Sequence, residues 1–182
     1  MNFLLLLIAL TAVVAIAVWL YLLRQGDAEF FFLTDSRTPF ELREITETKA
    51  VFVSQIPFVN RGRQDGTVVD VFPRQLLPDE YFDRVDVSAK TTIASRPRTD
   101  GYWEAVIIER GKGDAVLLSV ELTARNGDIA AALREMVDMP VDIVYQVVAR
   151  SCWYLDKARL VMEASEITAA LSEGQTKGGA AQ

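Results

Sequence analysis

The sequence contains no histidine and a single cysteine, Cys152. Without histidine, the chain lacks the commonest metal ligand and the commonest acid–base group at neutral pH. One cysteine excludes an internal disulfide, and no glycine-rich phosphate-binding loop is present. We therefore predict that the chain is not an enzyme, has no catalytic residue, and binds neither a cofactor nor a metal.

Basic residues are also in the minority. The chain has 19 Lys and Arg against 25 Asp and Glu, a formal net charge of −6, and its first charged side chain is Arg24. An acidic domain of this kind repels the phosphate backbone, which argues against nucleic acid as a partner.

What the chain does have is a charge-free apolar run over residues 3–23. As a helix this run would extend roughly 30 Å, the thickness of a bilayer core. A cleaved secretory signal is the alternative, but it would have a basic start and a shorter apolar stretch. We predict a transmembrane anchor over residues 1–24, with Trp19 and Tyr21 at the membrane interface.

The side of the membrane on which the domain lies is left open by two opposing arguments. No basic residue precedes the run, whereas Arg24, Arg37 and Arg43 follow it, which favours a cytoplasmic domain. A short N-terminal anchor ahead of a β-rich domain is instead a common plan for exported bacterial proteins. We predict a single-pass membrane protein and favour the extracytoplasmic side.

The juxtamembrane segment, residues 25–39, contains an aromatic cluster of Phe30, Phe31 and Phe32. The cluster has two interpretations: an aromatic belt in contact with the membrane interface, or the first strand of the domain. Both remain open, and the strand interpretation is slightly favoured.

Beyond residue 40 the apolar residues recur with a period of two, which is typical of half-buried strands. This pattern covers residues 85–93, 116–122, 141–150 and 158–164, and less regular apolar runs cover 51–59, 67–72 and 102–108. Turn residues predict hairpins at 60–66, 111–114 and 154–157. Two short helices are expected, one at 77–82 and one N-capped by Asp128.

These patterns predict a mainly β fold in which an antiparallel, immunoglobulin-like β-sandwich over residues 40–167 follows the N-terminal helix. A barrel is the alternative. Residues 168–182, rich in Gly, Ala, Ser and Gln, are predicted to be a disordered tail.

Two arginine-containing loops are the candidate binding surface. If residues 60–66 and 95–103 lie at the same end of the sandwich, their guanidinium groups and aromatic pair could bind carboxylates or phosphates. The alternative is that the asparagine shapes a turn, the arginines pair with Asp65 and Asp100, and the tryptophan belongs to the core. The candidate binding residues are Asn60, Arg61, Arg63, Arg96, Arg98, Tyr102 and Trp103.

An N-terminal anchor, a strand ending in Asn60-Arg61-Gly62, and a second apolar strand at 67–72 together resemble a known family. The chain resembles the membrane-anchored immunoglobulin-like sandwiches of the LEA14 (late-embryogenesis-abundant, water-stress) type. That resemblance implies a non-enzymatic binding or protective module without a cofactor.

The function we predict is a membrane-anchored interaction or scaffolding domain, an accessory subunit of a membrane-associated assembly. Its partners would be membrane lipid, through the N-terminal helix, and a protein in or near the membrane. The alternative is a module that binds lipid or another apolar ligand, in the sandwich interior or at the Phe30–Phe32 cluster.

Overall fold

The computed structural model describes residues 2–178, and the charge-free N-terminal run forms one long helix, α1 (Asn2–Gln25). Residues Phe3–Leu22 are long and apolar enough to cross a membrane, and none of this span is buried against the rest of the molecule. The helix stops at Gly26, whose φ of 66° lies in the left-handed region that glycine adopts at low cost.

Within residues 2–178, nine strands and two further helices follow α1. In chain order they are β1 (Phe30–Phe32), β2 (Glu41–Ile45), β3 (Lys49–Asn60), β4 (Gly66–Gln75), β5 (Val85–Ile93), β6 (Val106–Ile108), β7 (Gly113–Ala124), α2 (Ile129–Arg134), β8 (Met139–Val148), β9 (Trp153–Met162) and α3 (Ala164–Gly178). A single 3₁₀ turn, Thr34–Ser36, lies between β1 and β2.

The strands form two antiparallel sheets that pack face to face, so the predicted β-sandwich is confirmed and the barrel alternative is wrong. The first sheet has the order β1-β3-β7-β5, with β2 also paired to β3, and the second has the order β6-β4-β8-β9. Side chains with almost no exposure fill the space between them: Phe52, Ile56, Phe58, Leu118, Leu122, Ile143 and Met162. This packing favours a solid interior over one that holds an apolar ligand.

The ends of the sandwich differ in what they contact. At one end, which we call the α1 end, β1 enters the first sheet with Phe30 opposite Asn60. The turns at 61–65, 109–112 and 149–152 lie there too, since Gly111 N donates to Asn60 O and Ser151 N to Asp27. The far end carries the turn at 46–48, the loop at 76–84 and α2.

Three local predictions were wrong. Residues 77–82 are irregular with one turn at 79–81 instead of a helix, although the helix N-capped by Asp128 is present as α2. The last hairpin turns at 149–152, not at 154–157, because Ala149 N bonds Cys152 O and Trp153 already pairs with Val148. Residues 102–105 lie outside the strand predicted there.

The folded part also extends beyond the predicted boundaries of 40 and 167. β1 lies in the first sheet because Phe30 and Phe32 enter the core. Helix α3 runs through Gly178, with Ile167 and Ala170 buried one turn apart. Residues 168–178 of the predicted disordered tail are therefore helical, and 179–182 lie outside the described residues.

Candidate functional site at the α1 end

The β8–β9 turn lies alongside the last turn of α1 through Arg150. Its Nη1 donates to the Gln25 side-chain oxygen at 2.6 Å, and its Nη2 donates to the Leu22 carbonyl at 3.3 Å. The last four carbonyls of a helix have no partner within the helix, and they form the negative end of its dipole. The positive guanidinium group of Arg150 therefore stabilises this end of the helix. It also holds the β8–β9 turn beside Leu22.

The β3–β4 turn supplies a second set of donors to the same helix end. Arg63 Nη1 donates to the carbonyl of Arg24 at 3.2 Å, and Gln64 Nε2 donates to the carbonyl of Gln25 at 3.2 Å. The aliphatic part of Arg63 packs on Gly26, where an added Cβ would lie 3.0 Å from Arg63 Cδ. Two turns, one that crosses between the sheets and one within the second sheet, thus hold the end of α1.

Asp27, just after the helix, ties the linker to both turns. Its carboxylate accepts a hydrogen bond from the Ser151 hydroxyl and another from Ser151 N at 3.2 Å. The Ser151 hydroxyl is the main reason why the pKa of Asp27 is lowered from its ordinary value. On the other side, Arg63 N donates to the Asp27 carbonyl at 2.8 Å. A Cβ at Gly62 would lie 2.3 Å from that carbonyl, so only glycine allows the linker this close.

Asn60, predicted to bind a ligand, is instead fully buried and shapes the turn. Its Oδ1 accepts from Glu29 N at 3.2 Å and Gly62 N at 3.0 Å. Its Nδ2 donates to the carbonyls of Gln64 at 2.9 Å and Ile108 at 3.1 Å. The amide thus uses both of its donors and both acceptor positions within the protein, which leaves none for a partner.

The arginines of the β3–β4 turn point in different directions. Arg61 lies over the Phe31 ring, with its guanidinium carbon 5.2 Å from the ring centroid, whereas Arg63 is occupied at the end of α1. Arg61 is exposed and Phe31 is 44% exposed, so this cation–π pair is the accessible part of the turn.

The second predicted loop crosses from β5 to β6 at the side of the sandwich. Arg98 bonds Asp100 through Nε at 3.1 Å and Nη2 at 2.6 Å, and this pairing holds the pKa of Asp100 at about 2. The guanidinium of Arg98 also lies 5.5 Å from the centroid of the Tyr102 ring. Arg96 is exposed, and its side chain has no bonding partner within residues 2–178.

Trp103 belongs to the core, as the alternative interpretation held. It is 5% exposed, and its Nε1 donates to the Val68 carbonyl at 3.2 Å. Within residues 2–178, no hydrogen bond or ion pair joins this loop to the β3–β4 turn. The residues of the predicted four-arginine surface are therefore not bonded to one another across the two loops; Arg63 is exposed but bonded to the end of α1, and the other exposed members are Arg61, Arg96, Arg98 and Tyr102.

The predicted membrane aromatics divide in a similar way. Trp19 and Tyr21 are 60% and 64% exposed on α1, but Phe30 and Phe32 are buried and cannot contact a membrane. Alternation along β1 directs both inward, and Phe32 stacks on Tyr145 of the second sheet with ring centroids 4.1 Å apart. Only Phe31 of the three stays on the outside.

Sequence reasoning missed an exposed apolar group on the outer face of the second sheet. We call Ile107, Val148, Trp153 and Leu155 the apolar rim; they are 71%, 46%, 67% and 59% exposed. Thr67 pairs with both Ile107 and Val148, and Val148 pairs with Trp153, so these four residues form a row across all four strands next to the α1 end, and Leu155 lies two residues beyond Trp153 on β9. Placing the last turn at 149–152 would have revealed the outward position of Trp153 and Leu155.

A surface cleft of about 400 Å³ separates α1 from the β8–β9 turn. Apolar helix residues form one wall, and charged and polar groups of the linker and the turn form the other. The lining residues are Trp19, Leu22, Gly26, Asp27, Arg150 and Ser151. Within residues 2–178, no group of three or more Cys, Asp or Glu side chains could hold a metal ion.

No family model matches the chain, and no curated protein matches it. Among solved structures, the yeast GGA1 GAE domain matches with 9% identity and a TM-score of 0.35, covering 73% of this chain and 97% of that domain. The GAE domain of GGA2p from Saccharomyces cerevisiae matches with 12% identity and the same TM-score, covering 73% and 96%. At this identity and TM-score the likeness carries no argument about function.

Proposed function

We propose that this protein is a single-pass membrane-anchored interaction domain, in which α1 crosses a bilayer and the sandwich meets protein partners beside it. The observation that carries the proposal is the exposure of residues Phe3–Leu22, none of which is buried. A helix that is apolar on every side needs apolar surroundings, and a bilayer provides them for a span of this length.

A cleaved secretory signal would have a similar N-terminal helix. The contacts at the helix end support a retained anchor, because Arg63, Gln64 and Arg150 all donate to residues 22–25. Cleavage after α1 would remove the acceptors of all three side chains. The domain would then lose the contacts that set its orientation to the membrane.

Tethering raises the effective concentration of the domain toward anything in or beside the same membrane, without requiring new contacts. The accessible residues of the predicted binding set, Arg61, Arg96, Arg98 and Tyr102, are the proposed partner surface. Arg96 supports this assignment because no residue among 2–178 bonds its guanidinium group, which is therefore available to bind another protein. The LEA14-type resemblance and the net charge of −6 agree with a non-enzymatic module that does not bind nucleic acid.

The anchor is tested with the full-length protein carrying a C-terminal tag. We expect it to stay in the membrane pellet after alkaline carbonate extraction, and its intact mass to include α1. Release by carbonate, or a mass that lacks the first two dozen residues, would contradict the anchor. A topology reporter fused after Gln182 then determines on which side the domain lies.

The partner surface is tested by photo-crosslinking in intact membranes. A crosslinking amino acid replaces Arg96 in one variant and Tyr81, which is 81% exposed at the far end, in the control. We expect a discrete adduct from position 96 that the Arg98→Glu substitution weakens. Equal labelling from both positions would contradict this surface.

A further inference from the structure

We propose that the apolar rim rests on the lipid surface of the bilayer that α1 crosses, so that the second sheet lies tilted onto the membrane. This inference relies on the proposed function, because it takes α1 to be the membrane anchor. It adds a second membrane contact, made by the folded domain itself.

The first step of the argument is depth. Arg150 reaches the Leu22 carbonyl, and the cleft beside it is lined by Trp19, so the β8–β9 turn lies against the last two turns of α1. Those turns rise by roughly 9 Å from Trp19 to Gln25. The headgroup layer on each side of a bilayer is about 5–8 Å thick. The turn, and Trp153 two residues after Ser151, therefore lie at headgroup level.

The second step is the chemistry of the exposed side chains. Tryptophan favours the membrane interface because its ring is apolar while its N–H can bond to water or headgroups, and Trp153 is 67% exposed. Ile107, Val148 and Leu155 surround it with aliphatic surface. In water this group would be an unexplained apolar row on the outer face of a sheet.

The third step is the position of the row. Farther from α1 the next outward side chains of β9 are Lys157 and Arg159, which pair with Asp142 at 3.2 and 2.7 Å and separate the rim from the single exposed Val161 at the far end. The apolar stretch of the strand is thus at the end where α1 leaves the domain. Because the row begins where the exposed helix leaves the domain, the lipid that surrounds the helix can also cover the row. A partner protein would not require the row to begin at the helix, so we assign lipid as the occupant.

The natural cysteine provides a reporter, because Cys152 is exposed and directly precedes Trp153. The full-length protein is labelled there with a fluorophore and reconstituted in phosphatidylcholine vesicles that contain a headgroup-nitroxide phosphatidylcholine. The matched control places the label at residue 80, on the far-end loop, through Glu80→Cys in a Cys152→Ser background. We expect several-fold stronger quenching at residue 152 than at residue 80.

Two substitutions on the same strand test the rim itself. Leu155→Glu should reduce quenching at residue 152 several-fold, because a carboxylate opposes insertion. Val161→Glu, which also points outward from β9 but toward the far end, should leave quenching unchanged. Ile107→Ser is a second rim variant, and circular dichroism confirms the fold of each.

The outcomes separate the two proposals. If the protein fails to float with the vesicles, the proposed anchor is wrong and the rim contact falls with it. If it floats but the headgroup nitroxide quenches both labels equally, the anchor stands and the rim contact is overturned. Shielding of residue 152 in native membranes but not in pure lipid vesicles would show that a protein covers the rim, which also overturns it.

Discussion

Arg150 and Gln25, 125 residues apart in the chain, are joined by a side-chain hydrogen bond of 2.6 Å between Nη1 and Oε1. This bond connects the turn of the last β-hairpin to the last residue of α1. Arg63 and Gln64 also donate hydrogen bonds to the end of α1, so the helix is joined to the sandwich by side-chain hydrogen bonds from two turns.

Arg150→Ala should therefore loosen the junction without unfolding the domain. Exposed hydrogen-bonded pairs contribute about 1 kcal/mol or less to stability, so the unfolding midpoint should hardly move. A nitroxide at Cys152 should nevertheless become more mobile in its electron paramagnetic resonance spectrum. Arg134→Ala, on α2 at the far end, is the control, and an unchanged spectrum for Arg150→Ala would contradict the bonded junction.

Asn60→Ala should be among the more damaging polar substitutions in the domain. It would leave Glu29 N and Gly62 N without their acceptor, and the Gln64 and Ile108 carbonyls, of which the bond to Ile108 is buried, without their donor. Unsatisfied buried polar groups of this kind cost about 1–3 kcal/mol each before relaxation, so we expect a loss of roughly 2–4 kcal/mol.

Urea unfolding of the full-length protein in detergent measures this loss. Asn126→Ala is the matched control, because Asn126 is exposed and its side chain accepts a single bond from Asp128 N. Equal losses for the two variants would show that the Asn60 network contributes little.

The features predicted correctly from the sequence are those that a local period determines. The uncharged run gave α1, and alternation gave the sandwich strands, because both patterns depend on neighbours along the chain. The burial of Phe30 and Phe32 depends on contacts with Tyr145, which lies more than a hundred positions away in the chain. Alternation indicates two faces but does not say which is covered when both are apolar.

The site was less predictable for a related reason. Asn60 has the sequence context of an exposed turn, and its burial arises only when Glu29 and Ile108 pack around it. The apolar rim was hidden by the misplaced hairpin, because a turn at 154–157 puts Leu155 in the turn and Trp153 ahead of the last strand, so neither side chain was assigned to a face of β9. Long-range packing decided each of these errors.

The ion pairs of Asp142 make the free energy of unfolding depend on pH in the acid range. Its carboxylate is nearly buried and accepts bonds from Arg159 Nε at 2.7 Å and Lys157 Nζ at 3.2 Å. The Arg159 bond is the main cause that lowers the pKa of Asp142 to about 2. Because the folded-state pKa lies below the ordinary value, the stabilisation is fully present above about pH 4 and is lost as the pH falls toward 2.

Asp142→Asn should accordingly cost about 1–2 kcal/mol at pH 7, a moderate value because the partner cations are more than half exposed. The difference from the unsubstituted protein should shrink as the pH is lowered from about 4 to about 2. Urea unfolding at a series of pH values measures it. Asp70→Asn, on the same face and without an ion pair within residues 2–178, is the control. A difference that persists unchanged at low pH would contradict this account.

Helix α3 should stabilise the sandwich even though its sequence resembles a tail. Glu166 receives two bonds from Arg37, at 2.9 and 2.7 Å, and Ile167 is fully buried beside it. Truncating a buried isoleucine to alanine removes apolar contacts and leaves a cavity, which costs about 2–5 kcal/mol. Ile167→Ala should therefore lower the unfolding midpoint clearly, whereas Thr168→Ala, on the exposed side of the same helix, should not. Thermal unfolding followed by circular dichroism compares the two, and an unchanged midpoint for Ile167→Ala would mean that α3 is not docked.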